Sequence, residues 1–308
     1  MHFFSAAEIE SAISIERLVN VFEKAFKQQE EFKVPNRMHI SDGDNTALLM
    51  PVFDQDYYAI KLVGVAPHNS LLNKSSIHGT VLLHDRQTFE PIAMFDGQSV
   101  TALRTGAIGG LGIRYLAKRR AETIGIVGTG VQGWSHLKAA IAVRPIKQVF
   151  LFNRNIEKAE AFANKIREVY PMIEVYCSNI EDLVRHSEII VTATTSTTPV
   201  LPDLASSMWE GKLIVAVGSF KPNMQELPRS LLEATSTFFI DTINAINESG
   251  DIIRAKEIHG NSFQCQSIDQ IVQMNPDIGR IGIFKTVGSA LFDLLTVRAV
   301  YEAFYQGE

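Results

Sequence analysis

Two cysteines, Cys177 and Cys265, are too few for a disulfide framework, and neither lies in a C-x-x-C pair or a metal-ligand cluster. A disulfide-stapled secreted scaffold is thereby excluded as a class, and a reducing, cytoplasmic setting is expected. No apolar run reaches the roughly 18 residues that would span a bilayer. The opening Met1-His-Phe-Phe-Ser5 lacks a basic segment leading into an apolar core, so no cleaved leader is expected either. Charge of one sign is also missing: 29 Lys and Arg stand against 34 Asp and Glu, a net charge of -5. The basic residues are scattered rather than massed, which gives no support to a nucleic-acid or membrane-surface partner. Eight histidines show no H-E-x-x-H or similar spacing, so no metal site is expected. Internal repeats and low-complexity tracts are absent.

What remains is an ordinary globular composition, 46% hydrophobic and 20% charged, over 308 residues, enough for two domains. Its most informative stretch is Thr123-Ile-Gly-Ile-Val-Gly128-Thr-Gly130-Val-Gln-Gly133. An apolar, partly β-branched strand there breaks into a glycine-rich turn. Apolar side chains then recur at helical spacing through Val131, Trp134, Leu137, Ala140 and Ile141. Gly128 allows a tight turn, Gly130 lets the backbone approach a phosphate, and Gly133 lets the helix pack on the strand. The helix N-terminus then faces the anion of a dinucleotide pyrophosphate. G-x-G-x-x-G alone is weak evidence, but a second strand, Gln148 to Asn153, ends about 20 residues after Gly133, where a ribose-reading residue belongs. NAD enzymes usually place Asp or Glu there, whereas this chain has Asn153-Arg154-Asn155. An amide and a guanidinium can hold a 2′-phosphate that a carboxylate would repel, which favours NADP(H) and leaves NAD(H) open.

Upstream, Ser5 with Glu8 reads as a capping box, and Ile9, Ile13, Leu18, Val19, Phe22 and Phe26 form an apolar helical face, so helices are expected to open the chain. Short β-rich runs follow at Thr46 to Met50, Tyr57 to Val65, Gly79 to His84 and Pro91 to Phe95, the pattern of an antiparallel sheet. A helix is expected from Thr101 to Leu116. After Thr123, strands and helices alternate: helix Ile156 to Tyr170, strand Ile173 to Tyr176, helix Ile180 to His186, strand Glu188 to Ala193, then strands Lys212 to Val217 and Phe238 to Asp241. Such alternation predicts a doubly wound α/β unit with a parallel sheet. Thr194-Thr-Ser-Thr-Thr198 after a strand is either an ordinary polar turn or a loop touching ribose or nicotinamide. The expected division is a discontinuous α+β domain, residues 1–118 completed by a C-terminal helix 286–308, around a Rossmann-type domain at 119–285.

Across the whole chain the order of motifs resembles the ornithine cyclodeaminase/μ-crystallin family. The resemblance rests on Pro35-Asn-Arg37, Ala59-Ile-Lys61-Leu-Val, His78-Gly-Thr80, Met94-Phe-Asp96-Gly97, Thr101-Ala-Leu-Arg104-Thr105 and Gly128-Thr-Gly-Val-Gln. It continues through Phe152-Asn153-Arg154, Val217-Gly218, Glu248-Ser-Gly-Asp251 and Phe284-Lys285-Thr286-Val-Gly288. The family unites ornithine and lysine cyclodeaminases, an alanine dehydrogenase and ketimine reductases, all moving hydride at a carbon bearing nitrogen and a carboxylate. The resemblance implies a homodimer built on the substrate-domain sheet and a small imino or amino acid as ligand.

By the same resemblance Arg37, Lys61 and Arg104 surround the substrate carboxylate, with Thr80 and Lys221 also in the substrate set; Lys61 or a bound water is the candidate acid for the ring nitrogen. A solvated surface charge is the alternative for any single Lys or Arg. Lys61, though, sits within Tyr57-Tyr-Ala-Ile-Lys-Leu-Val, where an unpaired ammonium would be costly. The implied cofactor set is Arg104, Thr105, Gly128, Gly130, Val131, Gln132, Gly133, Asn153, Arg154, Thr194, Val217 and Thr286. One departure bears on activity. Phe220 occupies the place of the cyclodeaminases' proton-handling aspartate and cannot accept a proton. Reduction of Δ1-pyrroline-2-carboxylate, with Δ1-piperideine-2-carboxylate as a homologue, is the expected activity. Ornithine cyclodeamination, alanine-type dehydrogenation and a non-catalytic μ-crystallin-like binding role stay open beside it.

Overall fold

The structure, a computed structural model, describes residues 1–72, 74–276 and 280–306. It divides into two compact units, Met1–Arg104 with Ser289–Glu308, and Thr105–Gly288. Among the described residues no helix is long and apolar enough to cross a membrane.

The first unit is a six-stranded sheet: β1 (His2–Phe4), β2 (Met38–Asp42), β3 (Asn45–Phe53), β4 (Tyr57–Val65), β5 (Ile77–Asp85) and β6 (Pro91–Asp96), in the spatial order β1-β6-β5-β4-β3-β2. The pairs from β2 through β6 are antiparallel as the alternation predicts, but β1 joins β6 in parallel, so the sheet is mixed. A strand, not a helix, opens the chain; three residues are too few to display a period of two. β2 also escapes sequence reading because every one of its residues is exposed. The Ser5 capping box forms, with the Glu8 carboxylate accepting from the Ser5 N–H at 2.8 Å and hydroxyl at 2.6 Å. The helical face is cut in two, Ala6–Ala12 and Ile15–Lys27, because Ile13 turns extended and the Ser14 hydroxyl caps a second helix. All six apolar residues of that face are nevertheless buried. The C-terminal helix Ala290–Gln306 lies against β3, β4 and β5 and meets Phe22 through Phe292, ring centroids 5.6 Å apart. Phe292, Leu294, Leu295, Val297 and Val300 are essentially inaccessible, each contributing about 1.5–3 kcal/mol relative to exposure.

Register makes this sheet two-faced. Lys61 pairs with Met50 and Val81, all buried, on the side that the C-terminal helix covers. One residue on, Leu62 pairs with Leu49 and Thr80, and Leu49 with Met38, which sets these side chains on the opposite side.

The second unit holds β7 (Thr123–Val127), β8 (Gln148–Phe152), β9 (Glu174–Cys177), β10 (Ile189–Thr192), β11 (Leu213–Ala216), β12 (Thr237–Ile240), β13 (Gln264–Ser267) and β14 (Gly282–Lys285). Their order is β13-β12-β14-β11-β10-β7-β8-β9, parallel throughout. The central strands β10, β11 and β14 are buried on both faces, hence their unbroken apolar runs. β13, polar and at an edge, and β14, four residues long, were not anticipated. The chain runs from β7 outward to β9 and returns at β10 on the other side of β7. The switch point, where ligands bind in such sheets, falls at the carboxyl ends of β7 and β10.

The helix Gly97–Leu116 runs through the boundary between the units. In its second-unit part, a side chain at Gly109 or Gly112 would stand 2.3 Å from His136 or Phe284, so small residues let it press onto the helix Val131–Val143 and β14. Arg144, 8% exposed, follows the helix Val131–Val143 and caps the C-terminal end of Gly97–Leu116 by donating to the carbonyls of Ile113, Arg114 and Ala117.

Candidate active site

The glycine turn lies in the second unit, between β7 and the helix Val131–Val143. Gly128 has φ +99°, and a Cβ there would lie 2.5 Å from the Ala193 carbonyl, so no other residue fits the bend. Gly133 is held against the turn, where a Cβ would come within 2.3 Å of the Gly128 carbonyl. Around Gly130 there is open space, and no side chain caps the helix that begins there, leaving its first N–H groups for a ligand. A cavity of about 680 Å³ opens at this point, lined by Thr129, Gly130, Asn153, Arg154 and Thr194 among others. Asn153 donates to the Thr129 hydroxyl at 2.7 Å, which ties the second strand's end to the turn. Arg154 is exposed at the lining, and with it Lys158, a second cation that sequence reading did not single out. Val131 is exposed at the helix start, and Val217 donates its N–H to the Thr192 carbonyl. Two buried acceptor atoms, Gln132 Oε1 and Thr286 Oγ1, lack hydrogen-bond partners among the described residues. An uncapped helix start and a turn that only glycine fills fit a dinucleotide.

Beneath the cavity lies a polar assembly that sequence reading missed. Glu226, fully buried, accepts from the Thr194 N–H at 2.7 Å and hydroxyl at 2.8 Å through one oxygen. Through the other it accepts from the Thr192 hydroxyl at 2.8 Å and the Gly218 N–H at 2.7 Å. One carboxylate thus locks the loops after β10 and β11 together. Asp251 in turn accepts from the backbone N–H groups of Glu226 and Leu227, each at 3.1 Å. Asp241 accepts from Gly288 at 2.7 Å, holding the segment after β14. Lys285 is fully buried among these acids, and burial pushes its ammonium down against the pull of Asp251, Glu226 and Asp241. Burial likewise pushes the Asp251 carboxyl up. The motifs Glu248-Ser-Gly-Asp251 and Phe284-Lys285-Thr286 carried the signal, but nothing local reveals that they meet.

In the first unit, two cations converge on one acid. Lys61 Nζ donates to the Thr101 hydroxyl oxygen at 2.6 Å and to Asp293 Oδ1 at 3.1 Å. Thr101 gives its own proton to the Gly97 carbonyl at 2.7 Å, so toward Lys61 it can only accept. Arg104 Nε is 3.3 Å from the same Asp293 oxygen. Lys61, Arg104 and Asp293 are 4%, 8% and 1% exposed. Burial lowers the Lys61 ammonium to about 8, Asp293 opposes that fall, and the Arg104 and Arg37 charges deepen it. Two buried cations sharing one carboxylate leave a surplus positive charge that an incoming anion would balance. Asp293 went unrecognised in the sequence, although an acid within Leu291-Phe-Asp-Leu-Leu295 of an apolar helix was its signal.

The structure brings the charges of Arg37 and Arg104 to bear on Lys61. Thr80 does not join them. Its register partner is Leu62, so it faces the other side of the sheet, in a groove with Leu49, Leu62 and Gly64. Thr105 is buried in the helix immediately after Arg104. Lys221 is exposed, with its ammonium 5.8 Å from the ring centroid of a half-exposed Phe220. Among the described residues no cluster of three or more His, Cys, Asp or Glu is placed to hold a metal ion.

A Rossmann-type sheet with a dinucleotide turn, joined to a unit with a buried anion-seeking set, defines a class of nucleotide-dependent proteins acting on small anionic ligands. The chain belongs to the ornithine cyclodeaminase/mu-crystallin family, whose sequence profile matches residues 1–308. It is 34% identical to a Delta(1)-pyrroline-2-carboxylate reductase of Bacillus cereus, over 98% of this chain and 96% of that one. The solved Delta(1)-pyrroline-2-carboxylate reductase of Thermococcus litoralis, in complex with NADH and L-proline, is 28% identical. It covers 100% of this chain and 98% of its own, with a TM-score of 0.88. An archaeal alanine dehydrogenase dimer with bound NAD is 25% identical over 99% of this chain and 96% of that one, at a TM-score of 0.87.

Proposed function

We propose that this protein is an NAD(P)H-dependent oxidoreductase that reduces a small cyclic imino acid, Δ1-pyrroline-2-carboxylate to L-proline, with the six-membered homologue as a further substrate. The carrying observation is the pair of buried cations, Lys61 and Arg104, that share the single Asp293 carboxylate. Arg104 and Arg37 bind the substrate carboxylate, since a guanidinium can grip it with two parallel hydrogen bonds. An ammonium has three hydrogens; Thr101 and Asp293 take two, and the third is available to the imine nitrogen. A bound nicotinamide supplies the hydride. Lys61 gives the ring nitrogen its proton, so C=N becomes CH–NH with atoms and charge balanced. Reductases in Bacillus cereus and Thermococcus litoralis with this substrate in their names support the reading. Phe220, which cannot handle a proton, speaks against amine release from ornithine.

For the cofactor, Gly128, Gly130, Val131, Gln132, Gly133, Asn153, Thr194, Val217 and Thr286, with Thr105, are assigned to the dinucleotide, and Arg154 with Lys158 to a 2′-phosphate. NADP(H) is thus inferred as the preferred form, while the Thermococcus relative holds NADH. Lys221 is assigned to the substrate side. A homodimer is inferred from exposed apolar residues on the outer sheet face, Met38, Ile40 and Leu62, and from the dimeric archaeal relative. Sedimentation at a single-chain mass would overturn that inference. A reducing, cytoplasmic setting is inferred from the two unpaired cysteines.

The test is a substrate panel with purified protein, following NADPH absorbance on pyrroline-2-carboxylate, piperideine-2-carboxylate, pyruvate with ammonia, and ornithine. Turnover is expected on the cyclic imines. Ammonia release from ornithine, or tight NADPH binding without turnover of any imine, would overturn the proposal.

A further inference from the structure

We propose that Asp293 is a positioning residue that keeps Lys61 charged and aimed, acting on the reaction only through that lysine. The proposal rests on Lys61 being the proton donor described above.

Geometry carries it. Asp293 comes from the C-terminal helix, 232 residues from Lys61, and its Oδ1 stands 3.1 Å from Lys61 Nζ and 3.3 Å from Arg104 Nε. All three groups are buried. The groups that face Lys61 are Asp293 from the C-terminal helix, Thr101 and Arg104 from the helix Gly97–Leu116, and Arg37 from the segment before β2, while the flanking strands β3 and β5 set only the apolar Met50 and Val81 beside it. Of these only Asp293 is negative. Remove it, and a lysine beside one buried guanidinium and within the field of another has every reason to shed its proton. A neutral amine could still accept a hydrogen bond but would no longer protonate an imine. The direction of the hydrogen bonds matters equally. Thr101 can only accept from Lys61, and Asp293 accepts a second hydrogen, so together they fix two N–H vectors and set the aim of the third. Asp293 therefore holds the donor loaded in the resting protein, before any substrate carboxylate arrives to share the cations.

The experiment compares D293N with the unaltered protein in kcat/KM for pyrroline-2-carboxylate against pH, at saturating NADPH. The activity loss on the alkaline side should move to lower pH by roughly one unit or more, with activity recovering toward that of the unaltered protein on the acid side. NADPH affinity should stay unchanged. A uniform loss at every pH, with the alkaline limb unmoved, would mean that Asp293 only supports the fold and would overturn the proposal. K61M separates this from the reading beneath it. If the limb persists in K61M, Lys61 is not the donor; if it vanishes there but stays in place in D293N, only the role of Asp293 fails. A readout without turnover is the Cε resonance of Lys61 in lysine-labelled protein, identified by its absence from K61M, which should titrate at lower pH in D293N. Should D293N not fold, D293S, also uncharged, carries the same expectation.

Discussion

Replacement of Lys61 offers the sharpest check on the chemistry, because its burial turns a proton-transfer role into a pH profile of known sign. In an unfolded chain a lysine titrates at 10.5, whereas burial, Arg104 and Arg37 bring Lys61 down to about 8 despite Asp293. As a donor it works only when protonated, so activity is present below that value and lost as pH rises through it. Between roughly pH 7 and pH 9 the charged fraction falls from about nine-tenths to about one-tenth, so kcat/KM for imine reduction should drop roughly tenfold. Unfolding driven by this group cannot imitate that loss. Between about 8 and 10.5 the unfolded chain binds more protons at Lys61 than the folded one, so this residue makes the fold more stable as pH rises. The assay is initial NADPH oxidation across that range at subsaturating imine, repeated with K61M. Methionine fills similar space without a proton, and the variant should lose roughly a hundredfold to ten-thousandfold in rate. It should also show no alkaline limb while binding NADPH normally. A flat profile in the unaltered protein, or a limb that survives in K61M because the substrate itself titrates, would refute the assignment.

Two further outcomes concern the second unit. R154D should weaken NADPH selectively, because one charge-assisted bond to a phosphate contributes about 1.5–3 kcal/mol, equivalent to a roughly 10–100-fold change in the NADPH to NADH preference. An unchanged ratio would move the 2′-phosphate contact elsewhere, with Lys158 the next cation to replace. E226Q should cost about 1–3 kcal/mol of stability in urea unfolding, since an amide presents a donor where the carboxylate received four hydrogen bonds, and should raise the KM for NADPH. Unaltered values of both would show that the loops after β10 and β11 hold their shape without it.

What the amino-acid order determined unaided was whatever depends on near neighbours. The parallel unit was legible because β7 and its glycine turn, the helix after it and β8 follow one another within thirty residues, and periodicity and glycine spacing are local quantities. The Ser5 capping box was legible for the same reason, as were Lys61 as a suspicious cation in an apolar strand and Phe220 as a departure from a motif. Strands β1 and β13 were not: one is too short, the other too polar, and both exist because a neighbour supplies a ladder. Register alone decided that Thr80 and Lys61 face opposite sides of one sheet, since a single-residue offset reverses a strand's side chains. The acids were settled only in three dimensions. Asp293 reaches Lys61 across 232 residues, and Glu226 gathers loops from two strands. In sequence each is one carboxylate among many. Burial beside a particular cation or a row of N–H groups gives each its work, and burial is a property of the assembled chain.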